Sequence, residues 1–102
     1  MSMMGMMKQA QQMQANMKKL QEELANIEME GSAGGDMVKI TMTCKNQVTG
    51  VKINPQVVDS DDVETLEDMV TAAINDVHKK VEEHVAAEVA KITGGINIPG
   101  LT

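Results

Sequence analysis

No phenylalanine, tyrosine or tryptophan occurs anywhere in this chain of 102 residues. A core without aromatics must draw its buried surface from aliphatic side chains and from eleven methionines, which fill space but specify packing weakly. Arginine is absent as well, and all nine basic residues are lysine. Arginine is the commonest reader of guanine edges, and aromatic rings are the usual platforms for unstacked bases, so sequence-specific nucleic-acid readout is poorly equipped here. The single cysteine, Cys44, excludes an intrachain disulfide and fits a reducing compartment. No apolar run approaches the roughly twenty residues of a bilayer span, and no basic stretch leads into an apolar one in the manner of a secretory signal. These absences predict a cytoplasmic protein with no membrane partner. At this length the sequence predicts one domain over residues 1–102.

A seven-residue rhythm dominates the first third of the chain. Met6, Ala10, Met13, Met17, Leu20, Leu24 and Ile27 follow one another at alternating steps of four and three, the seam spacing of a coiled coil. Between them the surface is mostly Gln, Asn, Lys and Glu. So narrow an apolar stripe predicts a partner helix, most simply from a second copy. Charge is unevenly spread around a net value of −6. Residues 1–20 carry Lys8, Lys18 and Lys19 and no acid, whereas residues 59–68 carry Asp59, Asp61, Asp62, Glu64, Glu67 and Asp68 and no base. The overall field repels a polyanion, so any contact with nucleic acid needs a local basic strip.

The spacing predicts a helix from about Met6 to about Ile27, preceded by a frayed end over residues 1–5. A short strand around Glu28 to Glu30 leads into a turn over Gly31 to Gly35. Val38, Ile40, Met42 and Cys44 then alternate with Lys39, Thr41 and Thr43, the period of a half-buried strand. Lys45-Asn46 turns the chain, and Gln47 to Asn54 forms a third strand ended by Pro55. Asp59, Ser60 or Asp61 caps a second long helix. Its apolar stripe runs from Val63 through Leu66, Val70, Ala73, Ile74, Val77, Val81, Val85 and Val89 to Ile92, and Gly94-Gly95 ends it. Residues 96–102 read as a flexible tail. The expected fold is α+β: a long N-terminal helix, a three-stranded antiparallel meander and a long C-terminal helix.

Several segments, in this order, resemble the YbaB/EbfC family of bacterial nucleoid-associated proteins. They are Met7 to Gln14 and Leu20 to Leu24 in the first helix, and Glu30 to Gly35 in the glycine-rich turn. Val51 to Pro55, Leu66 to Asp76 and the ending from Thr93-Gly94-Gly95 to Pro99-Gly100 complete the set. The resemblance implies a homodimer with a shared sheet and projecting helical arms. It also implies binding of double-stranded DNA with low sequence preference, and a place in nucleoid organisation or gene regulation.

On the residues themselves, Lys8, Lys18 and Lys19 stand outside the apolar seam, where mobile ammonium groups suit phosphate contact. Glu22 and Glu23 lie four residues after Lys18 and Lys19 and are expected to neutralise them in part. Lys79, Lys80 and Lys91 form a second DNA-binding candidate set on the second helix, interleaved with acids. His78 and His84 stand six residues apart and do not converge on one metal. The amino-terminal methionines admit soft-metal ligation, but seam packing accounts for them. Cys44 lacks a base placed by sequence to activate it, and no phosphate-binding glycine loop is present. The reading is of a non-enzymatic protein with no cofactor, metal or small-molecule substrate, whose partners are DNA and a second copy. The competing reading is a protein-interaction module whose Met/Leu seam binds a partner helix.

Overall fold

The computed structural model describes residues 2–94. The elements are α1 (Met3–Leu24), β1 (Glu28–Ala33), β2 (Val38–Thr43), β3 (Val48–Ile53), a single 3-10 turn (Pro55–Val57) and α2 (Val63–Thr93). The strands form one antiparallel sheet in the order β1-β2-β3, the α+β meander expected from the alternation. The expected tail over residues 96–102 lies outside the described residues.

Element boundaries differ from expectation where side chains satisfy backbone groups. α1 begins at Met3 rather than Met6 because Ser2 caps it, its hydroxyl accepting from the Gly5 amide at 3.2 Å. It ends at Leu24, so Ile27 lies beyond the helix, and the Ile27 carbonyl accepts from the Cys44 amide at 2.9 Å. α2 is capped by Asp62, whose carboxylate accepts from the Thr65 amide and hydroxyl. Asp59 is occupied one step earlier, receiving the Asp61 amide at 2.9 Å, which leaves the cap to Asp62. Gly94 closes α2 in the left-handed conformation, its amide donating to the Ala90 carbonyl.

The sharpest difference concerns Gly31 to Ala33, expected as turn and found in strand β1. Gly31 is buried beneath α2. A Cβ there would lie 2.4 Å from the Val77 amide nitrogen and 2.7 Å from the Ala73 carbonyl oxygen. The glycine marks a close backbone approach, not a reversal. The reversal follows at Gly34, Gly35 and Asp36, all at positive φ.

Around this contact Val38, Ile40, Met42 and Cys44 from the sheet meet Ala73, Val77 and Val81 from α2 and Leu20 and Leu24 from α1 in one core. Burial raises the pKa of the Cys44 thiol, as for a small core hydrophobe. α2 packs on β1 and β2 and leaves β3 uncovered. Val51 and Ile53, paired across from Ile40 and Val38, therefore continue the core face of the sheet into solvent at 53% and 38% exposure.

α2 also closes the free edge of β1. Asp76 accepts from the Ser32 amide at 2.9 Å, Lys80 donates to the Glu30 carbonyl at 3.0 Å, and the two side chains pair at 3.3 Å. Both backbone groups would otherwise be open to another strand. Among the described residues β3 has no such guard.

Two outcomes follow from the contacts of β1. Gly31→Ala should force α2 away from the sheet and cost about 2–4 kcal/mol in a denaturant titration. The Ser32 amide and then Lys80 hold the Asp76 carboxyl below the usual carboxylate range. Its stabilising effect is thus complete above its unfolded pKa of about 3.9 and fades as the pH falls toward the lower folded value. Asp76→Asn should flatten the acid limb of the stability profile over that window while leaving its slope near neutral pH unchanged.

Candidate nucleic-acid interface

The direction of α2 builds an arm. Along β1 from Glu30 through Gly31 and Ser32 to Gly34, the touching residues of α2 run backward from Lys80 through Val77 and Asp76 to Met69. The part of α2 beyond Lys80 therefore leaves the sheet past the start of β1, where α1 arrives. There α1 packs against α2, with Leu20 and Leu24 buried beside the row Val81 to Val89. The protein is 70 Å long and about 21 Å across as a result.

This placement divides the heptad seam. Its inner end, Leu20 and Leu24, is covered within the chain by α2, an intramolecular partner that the spacing alone did not identify. Met13 and Met17 are half-buried, while Ala10 is exposed and Met6 is 58% exposed. Met7, Ala10, Met13 and Met17, with Lys18 at the rim, line a shallow open groove along this face of α1.

The lysines fall into two groups. Lys8, Lys18 and Lys19 are all exposed. Among the described residues none of the three lies within 4 Å of a carboxylate. The expected pairing with Glu22 and Glu23 is not formed. Lys8 and Lys19 are eleven residues apart, three helical turns, so they share a line about 16 Å long on the side of α1 away from the seam, with Lys18 on its flank. Lys79 is likewise exposed and outside every ion pair among the described residues. Lys80 is committed to Asp76 and the Glu30 carbonyl, and Lys91 to Glu88 at 3.0 Å. Of the six lysines singled out by sequence, four thus keep an ammonium group free of carboxylates.

Three other lysines were passed over. Lys45 donates to the Gln21 side chain and ties the β2–β3 turn to α1. Lys39 and Lys52 stand directly opposite one another across β2 and β3. Each occupies the polar phase of its strand, and that phase was the available signal once the strands were paired.

The two histidines stand apart on α2. His78 pairs with Glu82 on an exposed helix face at 3.4 Å. Among the described residues the buried Nε2 of His84 has no hydrogen-bond partner. Among the described residues no three His, Cys, Asp or Glu side chains gather to hold a metal ion, and no helix is long and apolar enough to cross a membrane.

Known proteins resemble this chain in sequence and in fold. A nucleoid-associated protein of Caldanaerobacter subterraneus subsp. tengcongensis is 56% identical over 97 residues, covering 95% of this chain and 87% of the relative. A nucleoid-associated protein of Afipia carboxidovorans is 47% identical over 98 residues, covering 96% and 93%. In structure, an uncharacterized protein of Helicobacter pylori superposes with a TM-score of 0.78 at 20% identity, covering 92% of this chain and 99% of that one. That likeness shows a common fold. The family model of the YbaB/EbfC DNA-binding family matches residues 1–96. With nearly the whole chain matched, this protein belongs to the YbaB/EbfC DNA-binding family.

Proposed function

We propose that this protein is a non-enzymatic homodimer of the cytoplasmic nucleoid. It binds double-stranded DNA with low sequence specificity through lysines on its helical arms, and so contributes to nucleoid organisation or gene regulation. The observation that carries the reading is the set Lys8, Lys18 and Lys19, exposed on a projecting helix and free of carboxylate partners among the described residues. Such groups neutralise phosphates and release counterions. An α-helix fits a major groove about 12 Å wide, but lysine positions a helix there more than it reads bases. Lys79 belongs with this set. Lys80 and Lys91 have carboxylate partners and contribute less.

Pairing of two chains is supported by the apolar shelf of β3. Val51 and Ile53 lie open beside α2, whose Ile74 is 39% exposed, and among the described residues the edge of β3 is unguarded. A second copy laid there buries the shelf and lengthens the sheet. One observation favours a rival reading. The methionine groove on α1 is uncovered and suits a partner helix, with no role for DNA.

Light scattering at working concentration should return the mass of two chains. Val51→Lys combined with Ile53→Lys should return one, with helical circular dichroism retained because both positions are exposed. Random-sequence duplex should be retarded in a gel near physiological salt; no retardation would favour the partner-helix reading. Changing Lys8, Lys18 and Lys19 together to Gln should weaken binding evenly across sequences. It should also lower the slope of log affinity against log salt by up to about 0.9 per lost contact.

A further inference from the structure

Both helices lie to one side of the sheet, α2 on the strands and α1 on α2. The opposite side of the sheet faces solvent. Its residues fall in cross-strand rows: Ser32, Lys39 and Lys52 in one, and Glu30, Thr41 and Gly50 in the next. Lys39 and Lys52 are thus two like charges placed directly opposite, with Cβ atoms about 5 Å apart, an arrangement that weakens a sheet. Among the described residues neither has a carboxylate within 4 Å, and the third position of their row is a serine. An anion seated between the two ammonium groups turns the repulsion into attraction.

The surroundings suit a phosphate backbone better than a protein. Ser32, Thr41 and Gly50 are small or hydroxyl-bearing, no apolar side chain stands in these two rows, and their one acid, Glu30, sits on β1 at the end of the next row, without an ion pair to either lysine among the described residues. Gly50 borders the register shift between β2 and β3, but there is room for a side chain. A Cβ there would meet only Thr41, at 3.8 Å and beyond, and its φ is not positive. Its effect is to leave the strand backbone bare beside Lys52, where a sugar-phosphate chain can come close. The row also lies at the far end of β1 from the root of the arm, which joins the sheet at Glu28.

We infer that Lys39 and Lys52 form a second phosphate-backbone contact for duplex DNA, on the open side of the sheet and apart from the arm. This inference rests on the duplex-binding reading above. It gives the protein two electrostatic contacts at opposite ends of the sheet.

The test is a titration of random-sequence duplex against salt by fluorescence anisotropy, with thermal melts of the same samples. The double variant Lys39→Gln and Lys52→Gln should lower the log–log salt slope by up to about 0.9 for each lysine. Lys52→Glu sets a carboxylate opposite Lys39 and should separate the two roles. Its melting temperature should rise by a few degrees while duplex binding weakens. Wild-type affinity and slope in both variants would overturn the second contact and leave the arm reading intact. A wild-type protein that fails to bind the duplex at all would remove both.

Discussion

Helix α2 approaches strand β1 so closely that only a hydrogen atom fits between them at Gly31. Most of the architecture depends on that approach. It brings the Ala73 and Val77 backbone onto the sheet and seals Val38 and Ile40 without any aromatic side chain. It also places Asp76 and Lys80 one helical turn apart beside the free groups of Ser32 and Glu30. Because α2 is fixed by its first half, its second half must leave the sheet where α1 arrives, and the arm is the result. A chain poor in bulky side chains has made its core by bringing backbones together rather than by filling a wide gap.

The arm resolves an apparent conflict in the charge. The chain is acidic overall, at −6, yet among the described residues no carboxylate comes within 4 Å of Lys8, Lys18, Lys19 or Lys79. Asp59, Asp61 and Asp62 gather before α2, beyond the opposite end of β1 from the arm. On the arm, Glu88 is engaged by Lys91 and Glu82 by His78, and Lys8, Lys18 and Lys19 form no ion pair among the described residues although Glu22 and Glu23 follow on the same helix. Screening at physiological ionic strength acts over about 8 Å, so an arm tens of ångströms long presents its local charge and not the molecular average.

Much of this fold is legible in the sequence, because periodicity reports burial directly. Strand β2 is the clearest case: Val38, Ile40, Met42 and Cys44 are buried as their alternation requires. Both helices are evident for the same reason. Gly31 shows where local reading stops. A glycine beside Ser32 and ahead of Gly34-Gly35 carries the composition of a turn, and only the distant Val77 reveals that it is a packing site. The seam of α1 misleads in a related way. Its spacing is that of a helix wanting a partner, but spacing cannot say that α2 of the same chain already covers Leu20 and Leu24. The lysines are the least legible. The i,i+4 rule expects Lys18 and Lys19 to lean on Glu22 and Glu23, and they do not. The opposition of Lys39 and Lys52 exists only once two strands are in register.

The two margins of the sheet are unlike. On β1 the Asp76–Lys80 pair occupies the outward amide of Ser32 and carbonyl of Glu30, while the outer edge of β3 has no such cover among the described residues. A strand from outside can join at one margin only. When two chains join there reciprocally, each uses up the other's vacancy, and both outer borders of the enlarged ribbon are sealed. A reciprocal joining of that kind would end growth at the first step, since the margin needed by a third chain would already be occupied.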